Sequence, residues 1–568
     1  MKKSPSNKSN GTMTRRHALQ ILVSSGAAVA SAPHLFGQTS NAPAELVPPV
    51  PQPLPPAPAP IIPPAGFGEI KGPFQPTWES LSTREIPEWY RDVKFGIWAH
   101  WGPQCQPEQG DWYAMNMYNP NHAHYKFHVQ KYGHPSKFGF KDVCNEWKAE
   151  RFDPVALIAL YKKAGAKFFA QMINHHDGFD MFDSTYQPWN SVSVGPKKDL
   201  TGMWAKAARD AGLRFAVSSH GGRTFSWMNS SRRSDPSGPL AGVPYDGVMT
   251  KADGKGLWWE GLDPQDLYAQ YLPPGGRGRF GSDGKGADKA YFDKFYYRIV
   301  DCINKYDPDI LYFDDSVMPL YPTSDVGLRI MAYLYNKSIK RHGKMEAVMT
   351  GKDLNPQQRK AVLLDLERAV TGAADPLPWQ TDTCIGEWHY KRSIYENHRY
   401  KTAMQVVQML IDIVSKNGNL MLSVPLPGNG MPDDEEIKIL NGIAEWIAPN
   451  GEAIYGTRPW VVYGEGPSTT GPQRRGMGSD VRSYTSEDFR FTQKGDIVYA
   501  FLMRWPENGK AVIKSMAQGS DHWPKQIAKI ELLGAGALKF TREAEGLIVN
   551  LPEQKPNDYA YALKIMPA

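Results

Sequence analysis

Residues 153–176 read D-P-V-A-L-I-A-L-Y-K-K-A-G-A-K-F-F-A-Q-M-I-N-H-H, a helical pattern followed at once by a strand pattern. The first half predicts a helix with Asp153 as N-cap, Pro154 at its first position and Gly165 at its end. The second half, K-F-F-A-Q-M-I, is a short apolar run that predicts a strand ending at two adjacent histidines. A helix that leads directly into a strand is the repeating unit of parallel α/β folds.

The same alternation continues on both sides of this unit. Strands are predicted at 93–99, 167–173, 214–219, 309–315, 346–350 and 419–424, with helices near 201–212, 289–305, 325–341, 397–416 and 433–448. So many units favour a (β/α) TIM-like barrel over an open sheet. From about residue 455 only short strands separated by turns remain, which predicts a C-terminal β-sandwich after the α/β barrel.

The N-terminal part predicts an export signal and a spacer. Arg15 and Arg16 precede a modest apolar stretch and the small residues at 30–32, an order typical of a twin-arginine signal peptide and less of a plain disordered tail. A Pro/Ala-rich stretch follows and predicts a linker. The expected parts are a signal peptide at 1–38, a linker at 39–75, a barrel at 76–452 and a sandwich at 453–568. We expect an exported protein, periplasmic or extracellular, without a transmembrane segment.

Composition excludes few classes of function. The 568 residues carry 65 Lys and Arg against 59 Asp and Glu, a net charge of +6, and no long basic run indicates nucleic acid binding. Four cysteines lie far apart without a C-x-x-C pair, so a zinc ribbon is not expected, whereas one disulfide or four free thiols both remain open.

Polar residues follow the predicted strands at the end where barrel enzymes have their active sites. His100 follows the first strand, His175 and His176 the second and His220 the third, and Asp314 lies at the end of the strand at 309–315. Together they predict one polar pocket with an aromatic wall, which suits a sugar. A metal site at His175 and His176 is not favoured, because adjacent residues rarely chelate one ion and no third ligand is suitably spaced. We predict no metal and no cofactor.

Asp314 is the candidate nucleophile of this pocket. In D-I-L-Y-F-D-D, strand alternation puts Ile310, Tyr312 and Asp314 on one face, so the carboxylate points into the barrel mouth. A carboxylate there can attack an anomeric carbon. The alternative is a helix N-cap, a role that Asp315 or Ser316 can fill instead.

The chain resembles glycoside hydrolase family 29, the α-L-fucosidases, over about residues 78–460. The matching stretches occur in the family's order: W-Y-R-D-V-K-F-G-I-W-A-H-W-G (89–102), G-D-W-Y-A-M-N-M-Y (110–118), H-H-D-G-F-D-M-F-D-S-T (175–185), W-N-S-V-S-V-G-P-K-K-D-L-T-G (189–202), D-P-D-I-L-Y-F-D-D (307–315), S-K-N-G-N-L-M-L-S-V (415–424) and N-G-E-A-I-Y-G-T-R-P-W (450–460). The resemblance implies a (β/α) barrel followed by a β-sandwich, and hydrolysis with retention through a covalent glycosyl-enzyme.

The resemblance also implies roles for individual residues. Asp314 is the nucleophile, and the positions that hold the sugar's hydroxyls and ring are His100, Trp112, His175 and His176. Two further pocket positions depart from the family: Tyr312 replaces a tryptophan common two residues before the nucleophile, and Asp111 replaces a glutamate, a shorter arm for the same hydroxyl contact.

The general acid is not settled by the resemblance. Many members carry it in a W-E pair, where this chain has Gln380, and an amide cannot donate and recover a proton as a carboxylic acid does. We rank Asp382 first, since an extended chain puts it on the same face as Gln380, and Glu387 second, with Glu367 as a further candidate. Each is alternatively a loop carboxylate paired with a base such as Arg368 or Lys391.

We therefore expect an exo-acting, retaining α-L-fucosidase that releases terminal fucosyl residues from a fucosylated oligo- or polysaccharide. Gln380 keeps two alternatives open: a non-catalytic carbohydrate-binding protein on a hydrolase scaffold, and a related glycosidase acting on another sugar such as L-galactose.

Overall fold

The computed structural model describes residues 61–269, 283–470 and 478–568. The predicted signal peptide at 1–38 and most of the predicted linker lie outside these residues. The end of the predicted linker is packed: the ring of Phe67 lies 5.0 Å from that of Tyr186, and Phe74 is buried. Contacts with the barrel therefore begin near residue 67, before the expected boundary at 75, because aromatic side chains interrupt the proline run there.

Eight parallel strands close into a barrel, β1 to β8 in chain order, with β1 hydrogen-bonded to both β2 and β8. Their bounds are Phe95–Ala99, Phe168–Asn174, Arg214–Ser219, Ile310–Phe313, Val348–Gly351, Leu363–Glu367, Trp379–Cys384 and Gly418–Ser423. The expected (β/α) barrel is confirmed, and it has two strands that the sequence patterns missed, β6 and β7.

Helices surround the barrel and connect its strands. Those before β2 are Trp78–Leu81, Glu88–Val93, Tyr113–Asn116, Ala123–Tyr132, Phe140–Glu146 and Pro154–Lys163; those after it are Leu200–Asp210, Thr224–Trp227, Pro264–Tyr268, Lys289–Tyr306, Val326–His342, Gln358–Ala361, Arg392–Glu396, Ala403–Ser415 and Asp434–Asn450. One short helix, Pro467–Thr470, lies in the C-terminal domain. Asp153 caps its helix as predicted, accepting hydrogen bonds from the backbone nitrogens of Val155 and Ala156. Among the helices of the described residues, none is both long and apolar enough to cross a bilayer.

The barrel interior is filled from alternate positions of the strands. Ile310 and Tyr312 of β4 point inward and pack with Trp98, whereas Leu311 and Phe313 belong to the outer core against the helices. The inward face of D-I-L-Y-F-D-D was predicted correctly, and Asp314 follows it at the carboxyl end of the barrel. All four cysteines are free and buried.

The C-terminal domain consists of two antiparallel sheets that share one hydrophobic core, as expected for a sandwich. Its strands β9 to β17 are Arg458–Glu465, Phe489–Lys494, Ile497–Leu502, Lys510–Ile513, Ile527–Leu532, Gly536–Ala537, Phe540–Glu543, Gly546–Asn550 and Tyr561–Pro567. Six of them form one sheet in the order β14-β13-β17-β11-β10-β9, and the other three form a second in the order β12-β16-β15.

A buried ion network joins the two domains. Asp412, on the helix before β8, accepts hydrogen bonds from Lys416 Nζ at 2.8 Å and from Arg490 Nε of β10 at 2.5 Å. Burial would raise the pKa of Asp412, but the two cations outweigh it and hold that pKa far below its usual range. The carboxylate is therefore ionised and compensates two buried positive charges.

Replacement of Asp412 by alanine is expected to lower the free energy of unfolding by about 3–5 kcal/mol, because it leaves Lys416 and Arg490 buried without a counter-charge. Urea unfolding followed by circular dichroism measures the change. Asp210→Ala is the matched control: Asp210 also ends an i,i+4 pair, with Lys206, but that pair is exposed. We expect less than about 1 kcal/mol from it. Equal losses of unfolding free energy in the two variants would contradict a stabilising role of the buried ion network.

Candidate active site

Side chains from seven consecutive strand ends converge at the carboxyl end of the barrel. They are His100 after β1, His175 and His176 after β2, His220 and Arg223 after β3, Asp314 after β4, Lys352 after β5, Glu367 at the end of β6, and Asp382 and His389 on and after β7. The structure thus brings together the histidines and the carboxylate that the sequence singled out. His220 was expected in the polar pocket from its place after the third predicted strand, whereas Lys352, Arg223 and His389 were not among the predicted site residues.

Asp314 lies at the centre of this group. Its Oδ1 accepts a hydrogen bond from Lys352 Nζ at 2.8 Å, and its Oδ2 lies 3.3 Å from His220 Nδ1 and 3.6 Å from His176 Nε2. Burial would raise the pKa of Asp314, but Lys352, His220 and Arg223 outweigh it and hold the pKa well below its ordinary value. The carboxylate is therefore ionised, as a nucleophile must be.

Lys352 links the acidic groups of the site. Its Nζ donates to Glu367 Oε2 at 2.7 Å as well as to Asp314, and lies 3.7 Å from Asp382 Oδ2. Burial would lower the pKa of Lys352, but the three carboxylates outweigh it and raise that pKa well above its usual value. No motif marks this lysine in the sequence, because its role depends on strands that are distant along the chain.

Glu367 is the partly open carboxylate closest to Asp314 in this network. The two side chains are equally exposed, each 20%. Both carboxylate oxygens lie within 2.8 Å of the same nitrogen, so their separation is less than twice that distance. This bound is compatible with the roughly 5–5.5 Å typical of retaining glycosidases. Burial and the charge of Asp314 raise the pKa of Glu367, despite the opposing effect of Lys352.

Asp382, ranked first as the general acid from the sequence, lies on β7 beside Glu367 of β6 but is less exposed. It is completely buried, and its Oδ2 accepts a hydrogen bond from the hydroxyl of Tyr312 at 2.9 Å. Tyr312, which the sequence placed among the residues that bind the sugar, is instead completely buried with its hydroxyl on Asp382. Gln380 also points inward, donating to Asp365 Oδ1 at 2.7 Å. The shared face of Gln380 and Asp382 was predicted correctly, but it faces the interior beneath Lys352.

Glu387, ranked second, is held by its own loop. Its Oε1 accepts a hydrogen bond from Lys391 Nζ at 2.8 Å, and its Oε2 lies 3.5 Å from the backbone nitrogen of Asp111. The carboxylate therefore ties the loop after β7 to the loop after β1. This is the pairing with Lys391 that the sequence left open as the alternative.

The histidines form a buried cluster beside Asp314. The rings of His175 and His176 lie 4.4 Å apart, which the chain achieves by ending β2 at Asn174, directly after a register shift. Burial is the main cause that lowers the pKa of His100, His175 and His176 well below the ordinary value, so all three are neutral at pH 7. Neither ring nitrogen of His100 has a hydrogen-bond partner within the described protein.

Trp112, predicted to contact the sugar ring, lies on the loop after β1 in a left-handed conformation with φ of 63°. A bulky residue in this region is strained by roughly 1–3 kcal/mol, and such strain is concentrated at ligand sites. The tryptophan precedes the short helix Tyr113–Asn116 and is only partly buried. The strained turn thus leaves part of the indole open.

The proton on His175 is assigned by its neighbours. Gln104 Nε2 donates to Asp177 Oδ2 at 2.9 Å, and the same nitrogen lies 2.8 Å from His175 Nδ1. An amide nitrogen only donates, so Nδ1 accepts and the neutral ring carries its proton on Nε2. His175 therefore presents a hydrogen-bond donor to the pocket.

Among the described residues, two histidine groups are close enough to hold a metal ion. His100, His175 and His389 offer ring atoms that all lie within 4.8 Å of one another, and so do His175, His176 and His220. The protonated Nε2 of His175 has no lone pair for a metal, and His176 and His220 face the Asp314 carboxylate. The geometry matches hydroxyl groups better than a cation.

Two family profiles match the chain, one in each domain. The family profile described as α-L-fucosidase matches residues 67–452, and the one described as α-L-fucosidase C-terminal domain matches residues 482–566. The tissue α-L-fucosidase of Rattus norvegicus is 25% identical over 505 residues, covering 87% of this chain and 92% of that protein. The plasma α-L-fucosidase of Homo sapiens is also 25% identical, over 510 residues that cover 87% of this chain and 92% of that protein.

Solved structures show the same architecture. The crystal structure of Thermotoga maritima α-fucosidase in complex with a mechanism-based inhibitor is 25% identical, with a TM-score of 0.64, and covers 87% of this chain and 100% of that one. A family 29 α-L-fucosidase from Bacteroides thetaiotaomicron, trapped as a covalent intermediate, shares the fold at 15% identity and a TM-score of 0.56. The chain belongs to the α-L-fucosidases, glycoside hydrolase family 29.

Proposed function

We propose that this hydrolase removes terminal α-L-fucosyl residues from fucosylated oligo- or polysaccharides in two steps, with Asp314 as nucleophile and Glu367 as acid/base. In the first step the Asp314 carboxylate bonds to the anomeric carbon while Glu367 gives its proton to the departing glycosidic oxygen. In the second step ionised Glu367 takes a proton from water, whose oxygen displaces Asp314. Two displacements release the sugar with retained configuration.

The pKa values of Asp314 and Glu367 are shifted in opposite directions, and this difference carries the assignment. The pKa of Asp314 is lowered and that of Glu367 is raised, although both carboxylates bind the same lysine. Neighbouring carboxyl groups whose pKa values are pushed apart are the usual mark of a nucleophile and its acid. Glu367 replaces Asp382 and Glu387 in this role, because Asp382 is completely buried and Glu387 pairs with Lys391, whereas Glu367 shares Lys352 with the nucleophile.

The histidine cluster supports binding of the sugar hydroxyls. His100, His175 and His176 surround the nucleophile as neutral rings, and neutral imidazoles can both donate and accept hydrogen bonds. The two unpartnered nitrogens of buried His100 are best satisfied by a ligand's hydroxyl groups.

Hydrolysis of an aryl α-L-fucoside, followed by NMR of the first sugar released, tests the proposal. We expect α-L-fucose before mutarotation. First release of the β anomer would mean an inverting mechanism, and binding without turnover would favour the non-catalytic alternative. An aryl α-L-galactoside, tested in parallel, measures whether the pocket prefers the other sugar that the sequence left open.

Replacement of Lys352 by methionine is expected to move the acidic limb of the kcat/KM–pH profile upward by about 1–3 pH units. Lys352 helps to keep Asp314 ionised, so its loss raises the pKa of Asp314 and the nucleophile becomes protonated at a higher pH. Lys352→Arg, which keeps the charge, is the matched control and should leave the limb near its wild-type position. A limb that does not move in Lys352→Met would contradict this role.

We also propose that the enzyme is exported to the periplasm or the extracellular space by a twin-arginine signal. Arg15 and Arg16, the apolar stretch after them and the small residues at 30–32 support this. The signal at 1–38 and the linker up to residue 60 lie outside the described residues. Cell fractionation after exchange of both arginines for lysine tests the proposal, and unchanged export would contradict it.

A further inference from the structure

His389 is a buried histidine of the sugar pocket to which the proposed reaction assigns no role. Its ring is completely buried and lies 4.6 Å from that of His100 and 4.7 Å from that of His175. Its Nε2 is buried and has no hydrogen-bond partner among the described residues. Because buried polar atoms are almost always hydrogen-bonded, this nitrogen is best explained by a ligand group.

Asp111 fixes the orientation of His389. Its Oδ1 accepts a hydrogen bond from the backbone nitrogen of His389 at 2.7 Å and lies 3.2 Å from Nδ1 of the same residue. Its Oδ2 lies 3.4 Å from the backbone nitrogen of Trp388. Both oxygens thus face the segment at 388–389, whereas the sequence predicted that they bind a sugar hydroxyl.

The contact with Asp111 also assigns the proton on His389. A carboxylate only accepts hydrogen bonds, so this contact favours the tautomer with the proton on Nδ1, in which Nε2 has the free lone pair. His389 therefore presents an acceptor beside the donor that His175 presents, with the two rings at 85° to each other. A hydroxyl group, which donates one hydrogen bond and accepts another, matches this pair.

We propose that His389 Nε2 and His175 Nε2–H together bind one hydroxyl of the fucosyl residue, and that Asp111 acts as a positioning residue through His389. This inference rests on the proposed function. The hydroxyl oxygen accepts from His175 and its hydrogen is donated to His389. The shorter side chain of Asp111 is thus compensated by an imidazole inserted between the carboxylate and the sugar.

Monodeoxy substrates test the contact. Aryl α-L-fucosides lacking the 2-, 3- or 4-hydroxyl are compared with the parent on wild type and His389→Ala. We expect the substitution to lower kcat/KM for the parent by roughly 10²-fold or more, since the site then lacks its hydroxyl acceptor. For the one deoxy substrate that lacks the hydroxyl bound by His389, the same substitution should hardly change kcat/KM. Equal losses on the parent and all three deoxy substrates would overturn the proposal, because a purely structural role is independent of the hydroxyl.

His389→Gln keeps the test informative if the alanine variant folds poorly. The glutamine side chain carries an oxygen acceptor near the position of Nε2 and should recover part of the lost discrimination. If His389→Gln has the melting temperature of wild type but regains no discrimination between the parent and the deoxy substrates, the acceptor role is wrong.

Asp111→Asn, made alone and together with His389→Ala, tests the indirect role. Removal of such a supporting carboxylate should lower kcat/KM about 10- to 100-fold in the wild-type background and cause no further loss in His389→Ala. The same loss in both backgrounds would mean that Asp111 contacts the sugar itself. Failure of wild type to hydrolyse the parent fucoside would instead remove the proposed function, so the two failures are distinguishable.

Discussion

Replacement of Asp314 by alanine is expected to lower kcat for an aryl α-L-fucoside on the order of 10⁴-fold or more, the scale seen when a covalent nucleophile is removed. The reason is specific to this carboxylate. It is held ionised by Lys352 and His220 at the mouth of the barrel, and the nearest described carboxylate on the same lysine, Glu367, has a raised pKa. Of the two described carboxylates that accept a hydrogen bond from Lys352, only Asp314 has a lowered pKa.

Addition of azide distinguishes a variant that lacks only its nucleophile from one that is misfolded. In Asp314→Ala, the small anion can enter the space of the missing carboxylate and attack the anomeric carbon directly. A single displacement inverts the configuration, so β-L-fucosyl azide is the expected product, detected by NMR. Substantial turnover of Asp314→Ala without azide would show that another residue is the nucleophile.

The fold could be predicted largely because the barrel is mostly apolar. Strands such as F-G-I-W-A and I-L-Y-F are continuous hydrophobic runs between clear helix signals, as expected for a buried parallel sheet. β6 and β7 were missed because L-L-D-L-E and W-Q-T-D-T-C carry polar side chains at inward positions, namely Asp365, Gln380 and Asp382. A functional interior removes the hydrophobic pattern by which a strand is recognised.

The site was predictable where a motif lies within one segment. His175, His176 and Asp314 each follow a recognisable strand, so their common location could be derived from barrel geometry. The choice of acid could not, since it depends on which carboxylate binds Lys352 from a neighbouring strand. Likewise, the contact between Asp111 and His389 joins residues 278 positions apart, and nothing local indicates it.

Replacement of Glu367 by alanine is expected to affect substrates according to their leaving group. For a natural glycan, whose leaving oxygen needs a proton, kcat/KM should fall by about 10²–10⁴-fold. For a dinitrophenyl fucoside, which departs without protonation, kcat/KM should change little. The second step still lacks its base, so the glycosyl-enzyme accumulates and a burst of dinitrophenolate precedes slow turnover.

Azide and the two rival carboxylates complete the assignment. In Glu367→Ala, azide needs no general base and should accelerate the second step, and attack on the glycosyl-enzyme yields α-L-fucosyl azide, the opposite anomer to that from Asp314→Ala. Asp382→Asn and Glu387→Gln are the matched comparisons. Asp382 is completely buried and bound by Tyr312, and Glu387 pairs with Lys391 away from the Asp314–Lys352–Glu367 network, so neither variant should show the dependence on leaving group or the azide product. If either of them shows both, that residue, and not Glu367, protonates the departing oxygen, and the shared contact with Lys352 does not identify the acid.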